Sequence, residues 1–117
     1  MKYFSISEFD SPDAPGSGNR MDRHYLEVLE RIREEAGIAF RINSGYRTPA
    51  HNLAVNGGPN SSHLRGLAVD IQANTGRQKA LIVRSAMLHG ILRVGIGKTF
   101  VHIDADSTLP NPALWLY

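Results

Sequence analysis

The chain has 117 residues, of which 42% are hydrophobic and 21% are charged, and its formal net charge is +2. This length predicts a single domain over residues 1–117, and the composition is that of an ordinary globular protein. The absence of cysteine excludes disulfides, thiolate metal ligands and a cysteine nucleophile. Any metal must therefore be held by His, Asp or Glu, a donor set that suits a catalytic site better than a structural one.

Basic residues are spread along the chain rather than grouped. Ten of the thirteen are arginine, and they do not form the basic stripe that a nucleic-acid-binding surface requires. No apolar stretch reaches the roughly eighteen residues needed to span a bilayer. The sequence therefore predicts neither a nucleic-acid nor a membrane partner, and we expect a monomer.

The start of the chain, Met1 to Ser5, lacks an apolar run followed by a small-residue cleavage site. This predicts synthesis in the cytoplasm without a signal peptide. The segment 10–19 is rich in Pro, Gly, Ser and Asp and is predicted to be a loop. A helix is predicted over 21–36, where apolar residues have helical spacing, with Gly37 as its stop.

The middle of the chain alternates predicted strands and helices. Residues 38–44 alternate in polarity and predict a strand. A short helix is expected to begin after the N-cap Thr48 and to end near Asn56. A strand is predicted over 67–72 and a further helix over 75–88.

Two more strands, over 92–97 and 99–104, are predicted to form a hairpin with its turn at 97–98. The tail, which includes Pro110 and Trp115, is expected to be a loop packed back on the body. The mixture of helices and strands predicts an α+β fold.

The residues with the most chemical promise lie in two short segments, Ser61–Asp70 (SSHLRGLAVD) and Phe100–Asp104 (FVHID). Together they place two imidazoles, His63 and His102, and the carboxylate of Asp70 on short apolar segments. Two histidines and one carboxylate are the ligand set of a zinc site with three protein ligands and an open fourth position.

The spacing of these residues fits such a site under one condition. His63 and Asp70 are seven residues apart, so the chain must turn at Gly66 before Asp70 can point inward from the following strand. His102 and Asp104 are two residues apart and share one face of their strand. Taken without any family knowledge, histidines on strands are also compatible with ordinary buried polar residues.

The pattern Ser61-x-His63-x-x-Gly66-x-Ala68-x-Asp70 resembles the S-x-H-x-x-G-x-A-x-D motif of the zinc D-alanyl-D-alanine peptidase family. That family includes zinc carboxypeptidases, vancomycin-resistance dipeptidases and phage L-alanyl-D-glutamate endopeptidases, and it shares a fold with the hedgehog signalling domain. The resemblance implies a small antiparallel sheet packed against helices.

Two further segments are similar to the same family. Residues 44–48 (SGYRT), followed by His51 and Asn52, resemble its S-G-Y-R-T…H-N segment, and 100–104 resembles its last zinc-ligand strand. The resemblance therefore runs from about Met21 to Asp104, which is most of the chain.

The resemblance implies that His63, Asp70 and His102 bind Zn²⁺. It also implies that Arg47 is a catalytic residue that holds substrate and stabilises the oxyanion, for which a permanently charged guanidinium is suited. Ser61 would contact substrate or support the site at the rim of the pocket. A surface salt bridge is the alternative role for Arg47, and a turn-capping hydroxyl is the alternative for Ser61.

The sequence departs from the family at the proton acceptor. Members often carry a Glu or Asp three residues before the last zinc ligand, or a His two residues before it. In this chain those positions are occupied by Thr99 and Phe100. We expect Asp104 to be the catalytic general base, or else to orient a zinc-bound imidazole. His51 and His89 are weaker candidates for the base.

These features predict a zinc metallopeptidase that hydrolyses amide bonds in peptidoglycan stem peptides, as a D-Ala-D-Ala carboxypeptidase or an L-Ala-D-Glu endopeptidase. The missing signal peptide would suit a phage endolysin that acts on the cell wall. The alternative is an inactive zinc-containing module that binds the wall or serves as a virion component.

Overall fold

A computed structural model describes residues 1–117. Its helices are α1 (Arg23–Ala36), α2 (Pro49–Ala54) and α3 (Gly76–Leu88). Its strands are β1 (Ile42–Ser44), β2 (Ala68–Gln72), β3 (Arg93–Ile96), β4 (Phe100–Asp104) and β5 (Ala113–Leu116). Three short 3-10 helices are also present, at Ile6–Phe9, Ser17–Arg20 and Ser62–Arg65. The predicted α+β fold is confirmed.

The five strands form one sheet in the order β1-β2-β4-β3-β5. The first four pair antiparallel, as predicted, whereas β5 lies parallel to β3 at the edge. The prediction that the tail is a loop was therefore wrong. The backbone amides of Ala113 and Tyr117 donate to the carbonyls of Leu92 and Ile96, so the tail continues the sheet because β3 leaves that edge unpaired.

The hydrophobic core lies between one face of the sheet and the helices α1 and α3. Alternate residues of the central strands point into it and are fully buried: Val69, Ile71, Val94, Val101 and Ile103. Each buried side chain of this kind contributes about 1.5–3 kcal/mol to folding. The phenol of Tyr25 in α1 donates to the Ile103 carbonyl at 2.6 Å and so fixes α1 against β4. The opposite face of the sheet is left free for polar residues.

The helix ends follow local chemistry. Helix α1 begins two residues later than predicted because the Asp22 side chain caps it by accepting from the Tyr25 amide, and it ends at Gly37 with φ +69°. Thr48 caps α2, as predicted. Helix α3 begins with a capping box formed by Thr75 and Gln78.

Two strand boundaries differ from the prediction. Strand β1 begins at Ile42 rather than at residue 38, because its partner β2 ends at Gln72 and the chain then turns toward α3. The β3–β4 hairpin forms, but its turn lies at residues 98–99, since the Gly97 amide still pairs with the Phe100 carbonyl.

The longest helix, α1, has 14 residues, and none of the helices is long and apolar enough to cross a bilayer.

Candidate metal centre

One row of directly paired residues crosses the whole sheet. Ser44 pairs with Asp70, Asp70 with His102, His102 with Gly95, and Gly95 with Trp115. Directly paired residues on neighbouring strands point to the same face of a sheet and lie about 4.5–5.5 Å apart at Cβ. The sheet register therefore places a carboxylate beside an imidazole on the face opposite the core.

The second imidazole reaches this row from the 3-10 helix Ser62–Arg65, which we call the His63 turn. The Ser61 hydroxyl caps this turn by accepting from the His63 amide at 3.3 Å. The turn ends at Gly66 with φ +69°, and a Cβ there would lie 2.4 Å from the Arg20 carbonyl oxygen. Gly66 thus allows both the reversal and the close approach that the spacing of His63 and Asp70 requires.

Three donor atoms converge at the meeting point of the turn and the row. One ligand atom from each of His63, Asp70 and His102 can be chosen so that all lie within 4.8 Å of one another. Asp70 Oδ1 is 3.3 Å from His63 Nε2 and 2.9 Å from His102 Nδ1. Both histidines are buried, and Asp70 is largely buried.

Hydrogen bonds behind the two imidazoles decide which nitrogen faces the centre. His63 Nδ1 lies 2.8 Å from the Gly45 carbonyl, which can only accept, so this nitrogen carries the proton and Nε2 keeps its lone pair. His102 Nε2 lies 2.7 Å from Asp104 Oδ2 and donates to it, which leaves the lone pair of Nδ1 free. In the neutral imidazoles these lone pairs face Asp70, and in the ion-free protein protons shared with the Asp70 carboxylate occupy them.

This donor set fits zinc. Four ligands at about 2.0–2.1 Å from Zn²⁺, at the corners of a tetrahedron, lie about 3.3 Å from one another. The distances from Asp70 Oδ1 to the two ring nitrogens, 3.3 and 2.9 Å, are close to that value. The acceptor behind each imidazole is also the usual support of a zinc-binding histidine. His63, Asp70 and His102 would therefore hold the ion and leave a fourth position for solvent or substrate.

Without an ion, the three donors share protons and charge. Burial alone would raise the pKa of Asp70, but hydrogen bonds from His102 and His63 outweigh it and hold that pKa far below its usual range. Burial alone would lower the pKa of His102, but its bonds to Asp104 and Asp70 raise it. The cluster is thus built to surround a positive charge, which a divalent cation supplies.

Asp104 lies behind His102, on the side of the ring away from the donor cluster. Its Oδ2 accepts from His102, and its Oδ1 accepts from Arg93 Nε at 2.7 Å and from the Asp106 amide at 3.1 Å. The residue is 1% exposed. Both oxygens are thus occupied, and this placement favours the second of the two expected roles, the orientation of the His102 imidazole.

Arg47 stands at the other end of the row, beside Asp70. Its Nε donates to Ser44 Oγ at 3.0 Å, its Nη1 to Asn52 Oδ1 at 3.3 Å, and its Nη2 to Asp70 Oδ2 at 3.3 Å. The backbone amide of Arg47 also donates to the His63 carbonyl at 3.1 Å. The guanidinium is therefore held within reach of any group bound at the donor cluster.

The donor cluster opens into a cleft of about 430 Å³. Its lining includes Asn56, Gly57, Gly58, Asn60 and Ser61, and Ser61 also caps the His63 turn. It also includes the rings of Phe100, Trp115 and Tyr117. His51 does not line this cleft, and His89 lies at the end of α3 near Glu35, so neither joins the donor cluster.

Sequence reasoning did not identify several supporting residues. Arg93 lies on β3 in direct register with Asp104, and Asp106 accepts from Ser62 Oγ and Arg65 Nε behind the His63 turn. A signal for Asp106 was present, because it continues the alternation of His102 and Asp104. Arg93 was detectable as a charged residue within the predicted strand 92–97.

Comparison with known proteins places this geometry in context. The family model described as Peptidase M15 matches residues 4–104. The comparison with curated proteins gives no match. The structure is similar to the crystal structure of the L-Ala D-Glu endopeptidase ChiX of Serratia marcescens, with a TM-score of 0.54 and 20% sequence identity over 75% of this chain and 82% of that one. All three donors and Arg47 lie within the matched residues, and β5 lies beyond them.

Proposed function

The chain belongs to the peptidase M15 family, and we propose that it is a zinc-dependent peptidase that hydrolyses amide bonds in the stem peptides of peptidoglycan. The family match agrees with the resemblance found in the sequence. The observation that carries the proposal is the convergence of His63 Nε2, Asp70 Oδ1 and His102 Nδ1 beside a fixed guanidinium.

The donors supply the electrophilic half of the reaction. When bound, zinc is a Lewis acid that lowers the pKa of a water molecule to about 7 and polarises a carbonyl oxygen. The protein contributes the tautomers: the Gly45 carbonyl and the Asp104 carboxylate keep the protons of both imidazoles on the outer nitrogens. The two rings are thereby oriented with His63 Nε2 and His102 Nδ1 toward Asp70, where the ion would lie.

Arg47 supplies the charge that the reaction requires at the substrate. Hydrolysis of an amide places negative charge on the former carbonyl oxygen, and a fixed donor next to that oxygen stabilises it more than the neutral substrate. Ser44, Asn52 and Asp70 hold the guanidinium in place, which reduces the conformational entropy lost when it binds substrate. Ser61 lies at the polar rim of the cleft, where its hydroxyl can contact the peptide.

The substrate class rests on the family and on the fold. The similar structure is that of an L-Ala D-Glu endopeptidase, which supports a peptide of the cell wall as the substrate. A carboxylate-bearing peptide also suits Arg47, a cleft cation whose partner Asp70 would be shared with the ion. We therefore propose the wall as the place of action and stem peptides as the substrate.

One observation favours a second candidate function, wall binding without hydrolysis. The carboxylates lining the cleft are Asp70 and Asp104, and both are engaged, the first with the donor cluster and Arg47 and the second with His102 and Arg93. A module that binds wall peptides through zinc and Arg47 does not need a proton acceptor.

Digestion of purified cell walls distinguishes the two functions. The zinc-loaded protein is incubated with peptidoglycan sacculi, and new amino termini are labelled and identified by mass spectrometry, which also shows whether L-Ala-D-Glu or D-Ala-D-Ala is cut. We expect release that is abolished by a chelator and by His102→Ala. Binding to sacculi without release, with zinc bound and the fold intact, would contradict the peptidase and support the binding module.

A further inference from the structure

We propose a substrate-binding surface beside the donor cluster: the rings of Phe100, Trp115 and Tyr117, here called the aromatic wall, hold the apolar part of the peptide, with the Tyr117 phenol as a hydrogen-bond donor. This inference rests on the proposed peptidase function and adds a specificity element to the same site. Trp115 and Tyr117 lie beyond the residues that the family model matches.

The sheet register brings Trp115 to the metal centre. Trp115 pairs with Gly95, and Gly95 pairs with His102, so a single strand, with a glycine at this position, lies between Trp115 and a proposed ligand. A Cβ at Gly95 would lie 2.5 Å from Trp115 Nε1 and 2.7 Å from Tyr117 Cε2. The space that a side chain would occupy at Gly95 is therefore filled by these two rings.

Trp115 is fixed from both sides. Its ring centroid is 5.4 Å from that of His102, and the Arg93 guanidinium lies 5.0 Å from the indole centroid. Arg93 in turn bonds Asp104 and the Pro110 carbonyl. The tail thus closes the side of the cleft next to His102 with a rigid apolar surface, which excludes water from that side of the donor cluster.

Tyr117 extends this surface outward and stays accessible. Its ring centroid is 4.8 Å from that of Phe100 and 6.4 Å from that of Trp115, and the residue is 67% exposed. Phe100 lies two residues before His102, a position at which members of the family often have a histidine, so an apolar ring replaces a proton-transfer group there. An exposed aromatic residue next to a cleft buries apolar area when a ligand binds, at a low cost in conformational entropy.

The phenol gives the wall a polar handle. Partial burial raises the pKa of the Tyr117 hydroxyl above the ordinary value of about 10, so the hydroxyl is protonated at neutral pH. A protonated phenol donates to a carbonyl or carboxylate oxygen. The aromatic wall and Arg47 line the same cleft, so that one ligand can contact both: a short peptide with an aliphatic side chain and a nearby carboxylate.

Kinetics on a soluble stem peptide, L-Ala-γ-D-Glu-diaminopimelate-D-Ala, test whether the aromatic wall binds substrate. We expect Tyr117→Ala to raise KM about tenfold and Tyr117→Phe about threefold, with kcat, zinc content and Tm unchanged. Leu116→Ala is the matched control, since Leu116 precedes Tyr117, is 76% exposed and points to the other face of the strand. A KM for Tyr117→Ala within twofold of the wild-type value would overturn the inference.

A binding measurement separates this inference from the proposed function. Trp115 is the single tryptophan, so the intrinsic emission of the zinc-loaded protein reports directly on the wall. Titration with the same peptide should change this emission, with a Kd that is weaker in Tyr117→Ala and unchanged in Leu116→Ala. If the wild type binds the peptide in this way but does not cleave it, the result contradicts the proposed peptidase and supports the aromatic wall as a binding surface. If the wild type cleaves the peptide without a change in emission, and Tyr117→Ala has an unchanged KM, the result contradicts the aromatic wall and supports the peptidase.

Discussion

The donor cluster and the aromatic wall line the same cleft, but they are built in different ways. At the cluster, His63, Asp70 and His102 are buried or largely buried, and each ring nitrogen has a partner. At the wall, Tyr117 is mostly exposed and is held by ring contacts. Polar networks fix geometry because leaving one member unpaired is costly, whereas apolar contacts tolerate change. Substitutions at the cluster should therefore abolish metal binding and activity, and substitutions at the wall should alter substrate affinity.

The largest expected effect follows from removing a donor. His102→Ala leaves two protein ligands, and we expect zinc binding at micromolar zinc to be lost and activity to fall by more than about 100-fold, beyond the usual effect of altering an outer partner. The measurements are zinc content by mass spectrometry and the rise in Tm on adding zinc, which should disappear. His24→Ala, an exposed histidine on α1, is the control and should retain both. Stoichiometric zinc in His102→Ala would show that the ion is held elsewhere.

The next effect concerns Arg47, which joins the cluster to the substrate. Arg47→Ala should lower kcat about 100- to 1000-fold while zinc content stays at one ion per chain, because a donor to the developing oxyanion is lost and the ligands remain. Steady-state kinetics on the stem peptide measure this change. The control is Arg41→Ala, an exposed arginine just before β1. Loss of zinc together with activity would mean that Arg47 acts by holding Asp70.

A smaller effect is expected at Asp104, behind the cluster. Asp104→Asn should weaken zinc binding about 10- to 100-fold, because the carboxylate that holds the His102 ring is lost, and saturating zinc should restore kcat. Competition with a fluorescent chelator gives the affinity, and kcat is measured across a range of zinc concentrations. If zinc binds normally and kcat stays more than about 100-fold low, Asp104 is the general base instead.

The smallest effect on activity is expected at Asp106, which supports the His63 turn. Burial alone would raise the pKa of Asp106, but hydrogen bonds from Thr108, Arg65 and Ser62 outweigh it and lower that pKa well below its usual range. Asp106→Asn should therefore cost about 2 kcal/mol of unfolding free energy at pH 7, or roughly 5–10 °C in Tm.

The pH dependence of this loss has a definite sign. A depressed folded-state pKa stabilises the protein above the ordinary Asp pKa of about 3.9, and that stability is lost as the pH falls below it. The difference in Tm between wild type and Asp106→Asn should thus be full at pH 7 and shrink below about pH 4. The control is Glu27→Gln, at an exposed position of α1, which should change Tm little at any pH. A difference that stays constant down to pH 3 would contradict the role of the Asp106 charge.

Much of the fold could be predicted from local chemistry. The helices α1 and α3 follow from apolar periodicity and from capping residues adjacent in sequence, Asp22, Gly37 and Thr75. Strand β5 could not be predicted in this way, because two prolines precede it and its four residues form a strand through pairing with β3. The predicted start of β1 was wrong for the same reason, since the length of a strand depends on its partner.

For the candidate site, the sequence by itself determined the donor types. Histidine and aspartate at 63, 70 and 102, with Gly66 between the first two, are properties of the chain that no packing can change. Only the tertiary structure decided which atoms of those residues face one another, because the tautomers depend on Gly45 and Asp104 and the row depends on sheet register. It also decided that Asp104 contacts Arg93 and that Trp115 and Tyr117 line the cleft, since these arrangements join different strands of the sheet.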